Sequence, residues 1–336
     1  MRKSIIKGIG HYVPENVVTN DDLAKLMDTN DEWIRERTGI IERRHLGRYS
    51  GVTTSDLGTK AAKKALENAG LTAKDIDFII FATLSPDYFF PGCGVILQKN
   101  LGCRTIGALD VRNQCSGFIY ALATADAYIK SGMYKNILVV GAENHSFGLD
   151  MTTRGRGVSV IFGDGAGAVI LSASEEERGI LSVNMHSEGE FAEELAVLFP
   201  GSKYGWSDEF QNDKNELTAE HIYPHMNGNF VFKHAVTRFP ESVKEVFEQS
   251  GEKIEDLKLF IPHQANLRIS QFVQRQLGLS DDKVFNNIQK YGNTTAASIP
   301  IALSEAYEQG RIEKDDLICM TAFGSGFTWG SVLVRW

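Results

Sequence analysis

The stretch TADAYIKSGMYKNILVV, residues 124–140, decides the fold, because LSEAYEQGRIEKDDLICM, residues 303–320, repeats its pattern. Each stretch runs from a helix-forming segment, through a turn that contains glycine, into an apolar segment rich in β-formers. Aligning Gly132 with Gly310 gives an offset of 178 residues. A chain that repeats itself in this way predicts two similar halves that pack together around a pseudo-twofold axis.

The same offset relates residues with useful chemistry. It carries Cys115 onto Asn293, each placed before a predicted helix. It also carries Ser85 onto His263, each placed just after an apolar strand. Because equivalent strand ends lie close together around such an axis, we expect Cys115 from one half to meet His263 and Asn293 from the other.

Length and composition indicate a globular protein with 43% hydrophobic and 23% charged residues. A length of 336 residues fits two halves, 1–175 and 176–336, at ~100–200 residues per domain. The net charge of −8 disfavours nucleic acids and anionic membranes as general partners, since phosphates would be repelled. No run approaches the ~20 apolar residues that span a bilayer, and the first residues indicate a strand rather than a signal peptide.

The four cysteines indicate neither a metal site nor a disulfide framework, because they lack CxxC spacing and a histidine cluster. This pattern favours a reducing cytoplasm, and Cys93, Cys103 and Cys319 are interpreted as structural. Cys115 differs, since ALDVRNQCSGFIYAL, residues 108–122, places it between a strand and a helix. The positive end of the helix dipole would favour a nucleophilic thiolate. Burial as a small apolar residue is the alternative.

Apolar runs alternate with helical patterns along both halves. In the first half, strands are predicted near 77–84, 105–111 and 136–141, and helices near 55–69, 92–101 and 115–131. In the second, helices are predicted near 228–250, 265–277 and 294–309, and strands at 257–262, 316–322 and 329–335. The alternation predicts a mostly parallel, buried sheet. Residues 186–226 lack periodicity and form an excursion between the halves, a long loop of the kind that is usually functional or mobile.

His263 and Asn293 are candidate donors to a thioester carbonyl, where they would stabilise developing charge. Taken singly, a turn histidine and a helix N-cap are the alternatives; their joint occurrence favours function. In TAFGSGFTWGSVLVRW, residues 321–336, Gly324 and Gly326 would let main-chain N–H groups point at an oxyanion. A β-hairpin without a ligand is the alternative there. FGDGAGAVIL is rejected as a nucleotide loop, because no Lys-Ser/Thr follows it and a strand comes next.

Together these segments closely resemble the β-ketoacyl-acyl-carrier-protein synthase III family, the initiating condensing enzymes of fatty-acid synthesis within the thiolase superfamily. The resemblance runs nearly end to end. Besides the Cys115 segment, its motifs are NDEWIRERTGI (30–40), RGVSVIFGDGAGAVIL (156–171), MNGNFVFKHAV (226–236), PHQANLRI (262–269), YGNTTAASIP (291–300) and AFGSGFTWGS (322–331). Elongating ketosynthases would show a second catalytic histidine where this chain has Asn293, so the match points to the initiating type.

The resemblance implies an α/β, thiolase-like five-layered αβαβα fold, built from two pseudo-repeated halves, and a homodimer. It implies that Cys115 takes an acyl group from a short acyl-CoA such as acetyl-CoA. His263 and Asn293 would then bind the thioester of malonyl-acyl-carrier protein while CO₂ leaves and the enolate attacks the acyl-cysteine. The N–H groups of Cys115 and Ser325 would form the oxyanion hole. The resemblance implies no cofactor and no metal.

The resemblance also assigns residues to coenzyme A. Trp33 and Arg37 would flank the adenine with Arg156 beside it, and Asn266 would contact the pantetheine arm. Core packing of Trp33 and a surface ion pair of Arg37 are the alternatives, although stacking and cation–π contact give the pair a physical use.

Further residues map to partners. Lys233, Arg268 and Arg275 correspond to the family's carrier-protein docking patch, which would attract an acidic helix despite the negative net charge. Phe90 corresponds to the residue that reaches the acyl pocket of the neighbouring subunit.

Three features depart from the family pattern. Ser325 replaces a glycine of many relatives, Gln114 stands at the acyl-pocket floor where small residues are usual, and the excursion is longer than in compact members.

The nearest alternative function is a ketosynthase with the same three residues that primes alkylresorcinol, alkylquinolone or polyketide synthesis with a longer or unusual starter. A papain-like peptidase is disfavoured, because no Trp-containing cysteine helix lies near the start of the chain. A non-catalytic acyl-CoA or carrier-protein binding module is the remaining alternative.

Overall fold

The computed structural model describes residues 2–47, 49–203 and 219–336. Its strands are β1 Lys3–Tyr12, β2 Val17–Thr19, β3 Glu42–Arg44, β4 Phe78–Ala82, β5 Gly107–Val111, β6 Asn136–Glu143, β7 Gly165–Ser174, β8 Gly179–Ser187, β9 Leu195–Ala196, β10 His225–Met226, β11 Leu259–Pro262, β12 Leu317–Gly324 and β13 Thr328–Arg335. Its α-helices are α1 Asn20–Ala24, α2 Asp31–Thr38, α3 Thr54–Ala69, α4 Cys93–Leu101, α5 Gly117–Lys130, α6 Arg156–Ser159, α7 Ala219–Ile222, α8 Gly228–Ser250, α9 Leu267–Gln276, α10 Ile288–Tyr291 and α11 Ser298–Glu308.

Two sheets repeat one pairing pattern. The first has the order β1-β7-β6-β4-β5 and the second the order β8-β13-β12-β11. β4 pairs in parallel with β5 and β6, as β11 does with β12, whereas β7 and β13 are antiparallel to both of their neighbours. The prediction of a mostly parallel sheet is therefore wrong. The βα alternation stops after β6 and β12, where the chain turns back without a crossover helix.

Five layers form the core. α5 and α11 lie between the two sheets, where their apolar residues pack against both. On β4, Phe78 and Ile80 face this central layer, whereas Ile79 and Phe81 face α3 and α4 on the outside. α8 and α9 cover the outer face of the second sheet. The predicted αβαβα architecture is confirmed.

The residue offset between the two halves differs from the predicted 178 at the strands and at the start of α11. β11 starts 181 residues after β4, at Leu259 against Phe78, and β12 starts 181 residues after β6. α11 has 11 residues, whereas α5 has 14. Because α11 is three residues shorter, the offset falls to 178 at the C-terminal ends of these two helices, near Gly310. Cys115 is therefore equivalent to Ala296, and its predicted equivalence to Asn293 is wrong.

Part of the excursion, residues 186–226, has regular secondary structure. Its first two residues belong to β8, and β9 pairs antiparallel with β10. Residues 204–218 lie outside the described residues. The predicted boundary between halves, 175/176, falls between β7 and β8. No helix in the described part of the chain combines the length and apolar character that crossing a bilayer requires.

Candidate active site

Cys115 lies in a 3₁₀ turn, Gln114–Ser116, immediately before α5. Gln114 adopts a φ of +44°, a left-handed conformation that residues other than glycine seldom adopt and that neighbouring contacts must hold. Ser116 Oγ lies 2.9 Å from the Asn113 carbonyl oxygen, to which it can donate. The side chain of Cys115 is nearly closed to solvent, with the residue 7% exposed. The sequence thus fixes the sulfur on a short, constrained turn rather than on the helix itself.

The thiol is protonated in this setting. Burial, and after it the charge of Glu143, raise the pKa of Cys115 to about 12, while the backbone N–H groups of Cys115 and Ser325 lower it. Removal of the sulfur from water opposes the thiolate, so the helix dipole that is expected to favour it acts against a large effect of burial. A reaction at this sulfur must include loss of the thiol proton.

The β12–β13 turn closes over the nucleophile. A Cβ on Gly324 would lie 2.5 Å from the Cβ of Cys115 and 3.1 Å from its Sγ, so no side chain fits there. The next residue is Ser325, whose backbone N–H lowers the pKa of the Cys115 thiol. The two N–H groups predicted to form an oxyanion hole, those of Cys115 and Ser325, thus both favour negative charge on the sulfur.

His263 follows the last residue of β11 and is 3% exposed. Its Nδ1 lies 2.6 Å from Ser298 Oγ, whereas its buried Nε2 has no hydrogen-bond partner among the described residues. Burial lowers the pKa of His263 to about 3, so the imidazole is neutral. When Ser298 donates to Nδ1, the proton lies on Nε2, which is then a donor without an acceptor.

Asn293 forms hydrogen bonds through both its main-chain and its side-chain atoms. Its Oδ1 accepts from the Thr295 N–H at 2.8 Å, and its N–H donates to the Ile161 carbonyl at 2.8 Å. The residue is 6% exposed. Because Oδ1 is occupied in this way, the amide NH₂ is the group that remains to donate to another molecule.

One turn, residues 294–298, connects the three predicted catalytic residues. His263 bonds to Ser298 in it, Asn293 bonds to Thr295 in it, and Ala296 packs against the Cys115 turn through Gly117, whose added Cβ would lie 3.6 Å from that of Ala296. The structure thus brings all three residues to the start of α11. The arrangement combines a sulfur with two neutral hydrogen-bond donors.

Two family models match the chain: 3-oxoacyl-[acyl-carrier-protein (ACP)] synthase III over residues 109–189 and the C-terminal model of the same family over residues 247–336. The β-ketoacyl-[acyl-carrier-protein] synthase III of Campylobacter jejuni subsp. doylei is 45% identical over 336 residues, 100% of this chain and 98% of that protein. The chain belongs to the β-ketoacyl-acyl-carrier-protein synthase III family. It is therefore an acyltransferase.

Solved structures agree with this membership of the synthase III family. The crystal structure of 3-oxoacyl-[acyl-carrier-protein] synthase III from Aquifex aeolicus VF5 matches with a TM-score of 0.89 and 45% identity, covering 99% of this chain and 100% of that one. The priming β-ketosynthase from the R1128 polyketide biosynthetic pathway also matches with a TM-score of 0.89, at 30% identity over 99% of this chain and 96% of that one.

In this synthase III chain, the guanidinium groups of two arginines lie over the indole ring of Trp33. Arg37 Cζ lies 4.5 Å and Arg156 Cζ 5.4 Å from the centroid of the indole. Arg156 also forms an ion pair with Asp28 at 3.3 Å. The predicted adenine residues are thus together. A flat base needs about 3.5–4.0 Å on each side, so entry between Trp33 and Arg156 requires the arginine to move.

Asn266 is engaged within the protein. Its Oδ1 caps α9 by accepting from the Arg268 N–H at 2.9 Å, and its Nδ2 donates to the Arg37 carbonyl at 2.8 Å. For Asn266 to contact pantetheine, as predicted, one of these two hydrogen bonds must break.

The predicted docking residues lie on two neighbouring helices. Lys233 is on α8, and Arg268 and Arg275 are on α9, all at exposed positions. The helices pack through Phe232 and Phe272, whose rings are 6.4 Å apart. Within residues 2–47, 49–203 and 219–336, none of the three cations forms an ion pair. Three positive charges without an ion-pair partner in the described part of the chain thus lie on two helices that pack together.

Of the two predicted acyl-pocket residues, Gln114 lies in the turn that carries Cys115 and Phe90 lies outside it. Phe90 is 81% exposed, as expected of a side chain that inserts into another molecule. Gln114 bonds back towards the Arg112 carbonyl, at 3.5 Å, and is partly exposed.

Glu143, which the sequence analysis missed, is the buried carboxyl of the site. It ends β6 with no exposure and accepts from Thr83 Oγ1, Ser85 Oγ and the N–H groups of Leu84, Ser85 and Ala296. Burial raises the pKa of this carboxyl to about 7. The available signal was a carboxylate at the end of the apolar strand NILVVGAE, since such residues are seldom buried without a partner.

Proposed function

We propose that the chain catalyses the decarboxylative condensation of an acyl-CoA starter, short as in acetyl-CoA, with malonyl-acyl-carrier protein, and so initiates fatty-acid synthesis. The observation that carries the proposal is the Nε2 of His263, which is buried without a hydrogen-bond partner among the described residues, on a side chain that bonds to the same turn, 294–298, as Asn293 does. A buried donor without an acceptor costs free energy. A thioester oxygen bound between the two side chains would recover it.

The first stage is acyl transfer to Cys115. The sulfur attacks the carbonyl carbon of the acyl-CoA, the bond from that carbon to the CoA sulfur breaks, and the thiol proton of Cys115 leaves with the CoA as its thiol. The negative charge on the carbonyl oxygen in the tetrahedral intermediate is stabilised by the N–H groups of Cys115 and Ser325. The products are acyl-cysteine and coenzyme A.

The second stage is condensation. The thioester oxygen of malonyl-acyl-carrier protein accepts from His263 Nε2 and Asn293 Nδ2, the bond to the carboxylate breaks, and CO₂ leaves with formation of an enolate. The enolate carbon attacks the acyl-cysteine, the carbon–sulfur bond breaks, and the cysteine sulfur takes up a proton. The product is 3-oxoacyl-acyl-carrier protein. Neutral donors and a thiol suffice for these steps, so we propose that the enzyme needs no cofactor.

The proposed partners follow from surface features. Trp33 with its two arginines offers a flat aromatic surface and positive charge to a nucleotide. The exposed cations of α8 and α9 suit an acidic carrier protein. The exposed Phe90, together with β5, which is an edge strand of the first sheet, supports a homodimer in which the edge is covered.

Three single variants test the mechanism. Cys115→Ala abolishes acyl transfer, whereas His263→Ala and Asn293→Ala retain acylation and lose decarboxylative condensation, by roughly 100-fold or more if each supplies an oxyanion donor. Intact mass after incubation with acyl-CoAs reports the first stage, and release of CO₂ from malonyl-acyl-carrier protein reports the second. Normal condensation by Cys115→Ala would refute the proposal, and absence of any adduct would favour a non-catalytic binding module.

The identity of the starter separates two related functions. A mixture of acyl-CoAs from acetyl to dodecanoyl, offered at equal concentration, leaves the preferred group on Cys115, and its mass names that group. A short acyl adduct supports the proposed function. A medium or long adduct supports a ketosynthase that primes a specialised pathway, as the name of the R1128 protein describes for that enzyme.

A further inference from the structure

Ser325 lies in the turn that packs on the nucleophile, and it bonds to the excursion. The preceding residue, Gly324, lies against Cys115, since a Cβ there would be 3.1 Å from the sulfur, while the Ser325 hydroxyl donates to the backbone carbonyl of Leu195 in β9. Ser325 stands between Gly324 and Gly326, and Gly326 has a φ of +133°. A turn with two glycines gains conformational freedom unless contacts restrain it, so this side-chain bond restrains the residue that directs the donor.

The excursion is itself attached to the sheet that carries the turn. Glu188 and Phe327 exchange two backbone hydrogen bonds, of 2.8 and 2.9 Å, which extend the pairing of β8 with β13. The ring of Phe191 packs against those of Phe327 and Phe230, at centroid distances of 5.7 and 5.0 Å. The Leu195 carbonyl is therefore offered to Ser325 from a segment that is anchored before it.

On its other side, the Ser325 residue is linked to the nucleophile turn. Thr328 Oγ1 lies 3.0 Å from the Ser325 carbonyl oxygen and 2.7 Å from Ser116 Oγ, and Ser116 is adjacent to Cys115. When the Ser116 hydroxyl donates to Thr328 instead of to the Asn113 carbonyl, hydrogen bonds join β9, the β12–β13 turn and the cysteine turn in one connected series.

We propose that the side chain of Ser325 is a positioning group, whose hydroxyl holds the β12–β13 turn on β9 and so keeps the Ser325 N–H directed at the reacting centre. The excursion then belongs to the catalytic apparatus, because a displacement of β9 reaches the oxyanion donor through one hydrogen bond. The part of the inference that concerns catalysis rests on the proposed acyl transfer, whereas the attachment of β9 does not.

Ser325→Ala tests the inference, since it removes the hydroxyl and keeps the backbone N–H. The matched control is Ser182→Ala, because Ser182 Oγ donates to the Val246 carbonyl at 2.7 Å, a bond of the same kind in β8. Two readouts are measured: amide hydrogen exchange of residues 188–198, and the single-turnover rate of Cys115 acylation at saturating acetyl-CoA.

We expect Ser325→Ala to speed exchange in 188–198 about fivefold, as loss of one hydrogen bond would, and to slow acylation roughly tenfold without changing KM. Ser325→Thr, which keeps the hydroxyl, should restore both, and Ser182→Ala should alter neither. Unchanged exchange, unchanged acylation, or equal slowing by Ser182→Ala would overturn the inference. If the wild-type protein accepts no acyl-CoA, the proposed function fails, and exchange still reports the attachment.

Discussion

His263 Nδ1 lies 2.6 Å from the hydroxyl of Ser298, so the first residue of α11 supports the imidazole. The same turn receives the side chain of Asn293 through the Thr295 N–H. The two donors proposed for the malonyl thioester are therefore aligned by one short segment, and a change in that segment should affect condensation more than acylation.

Ser298→Ala is expected to retain acylation of Cys115 and to slow release of CO₂ from malonyl-acyl-carrier protein about fivefold, since one hydrogen bond contributes about 1 kcal/mol and fixes both the tautomer and the ring direction. The matched control is Ser304→Ala on the same helix, because Ser304 Oγ bonds to His11 Nδ1 at 2.9 Å. Equal slowing by the two variants would mean that α11 was merely destabilised.

The neutral His263 should make stability depend on pH. Its pKa is about 3 in the folded protein and the ordinary 6.5 in the unfolded chain. The stabilising effect of the lower pKa is thus complete above pH 6.5 and is lost as the pH falls towards 3. Urea denaturation should show that His263→Gln loses less stability than the wild type between pH 6.5 and 5, by about 2 kcal/mol. Parallel pH curves would contradict this assignment.

The fold was predictable because its signals are local. Apolar strand segments and glycine turns identify β4, β6, β11 and β12 within a few residues of their observed bounds. The direction of β7 and β13 was not predictable, since periodicity reports which residues are buried and carries no information on strand direction. The repeat offset was misread for a physical reason as well: a helix shortened by three residues keeps its C-terminal glycine turn, so Gly132 and Gly310 still align.

In the site, the three residues proposed as catalytic were predictable as residue types beside strand ends, and their ionisation was not. The pKa of Cys115 depends on burial by β12 and on Glu143, groups distant in sequence. The role of Glu143 could not be recognised, because its five donors come from two separate segments, residues 83–85 and Ala296, which only the folded chain brings to the end of β6.

Glu143→Gln should lower the pKa of the Cys115 thiol, because the carboxylate charge opposes formation of the thiolate. We expect alkylation by iodoacetamide at pH 9 to be faster in the variant, by about threefold to tenfold, with the pH–rate curve displaced to lower pH. Asp126→Asn is the matched control, a buried carboxyl on α5 roughly 16 Å along the helix axis from Cys115. Slower alkylation in Glu143→Gln would show that its hydrogen bonds matter more than its charge.

Trp33→Ala should raise KM for acetyl-CoA by about tenfold, given ~1–3 kcal/mol for stacking of a base on an aromatic side chain. The rate with acetyl-N-acetylcysteamine, which lacks the nucleotide, should stay unchanged. Tyr12→Ala provides the control, since Lys60 lies 4.2 Å from the Tyr12 ring in a similar cation–π pair far from this cluster. An equal loss with both thioesters would place the defect in the fold rather than in adenine binding.

Arg268→Glu should weaken the interaction with malonyl-acyl-carrier protein and leave malonyl-CoA unaffected. Arg268 is exposed on α9 and five residues beyond His263, so a carrier docked there can deliver its thioester to the imidazole. Reversal of one charge in such a patch typically changes association about tenfold at low salt, an effect that falls as the ionic strength rises. KM for both malonyl donors, measured from 20 to 300 mM NaCl, checks the expectation.

Lys63→Glu is the control with the same change of charge, because Lys63 is exposed on α3, on the opposite outer layer. A rise in KM for malonyl-CoA as well, or an equal effect of Lys63→Glu, would contradict docking at α9, since the first result indicates damage to the site and the second indicates a response to net charge alone.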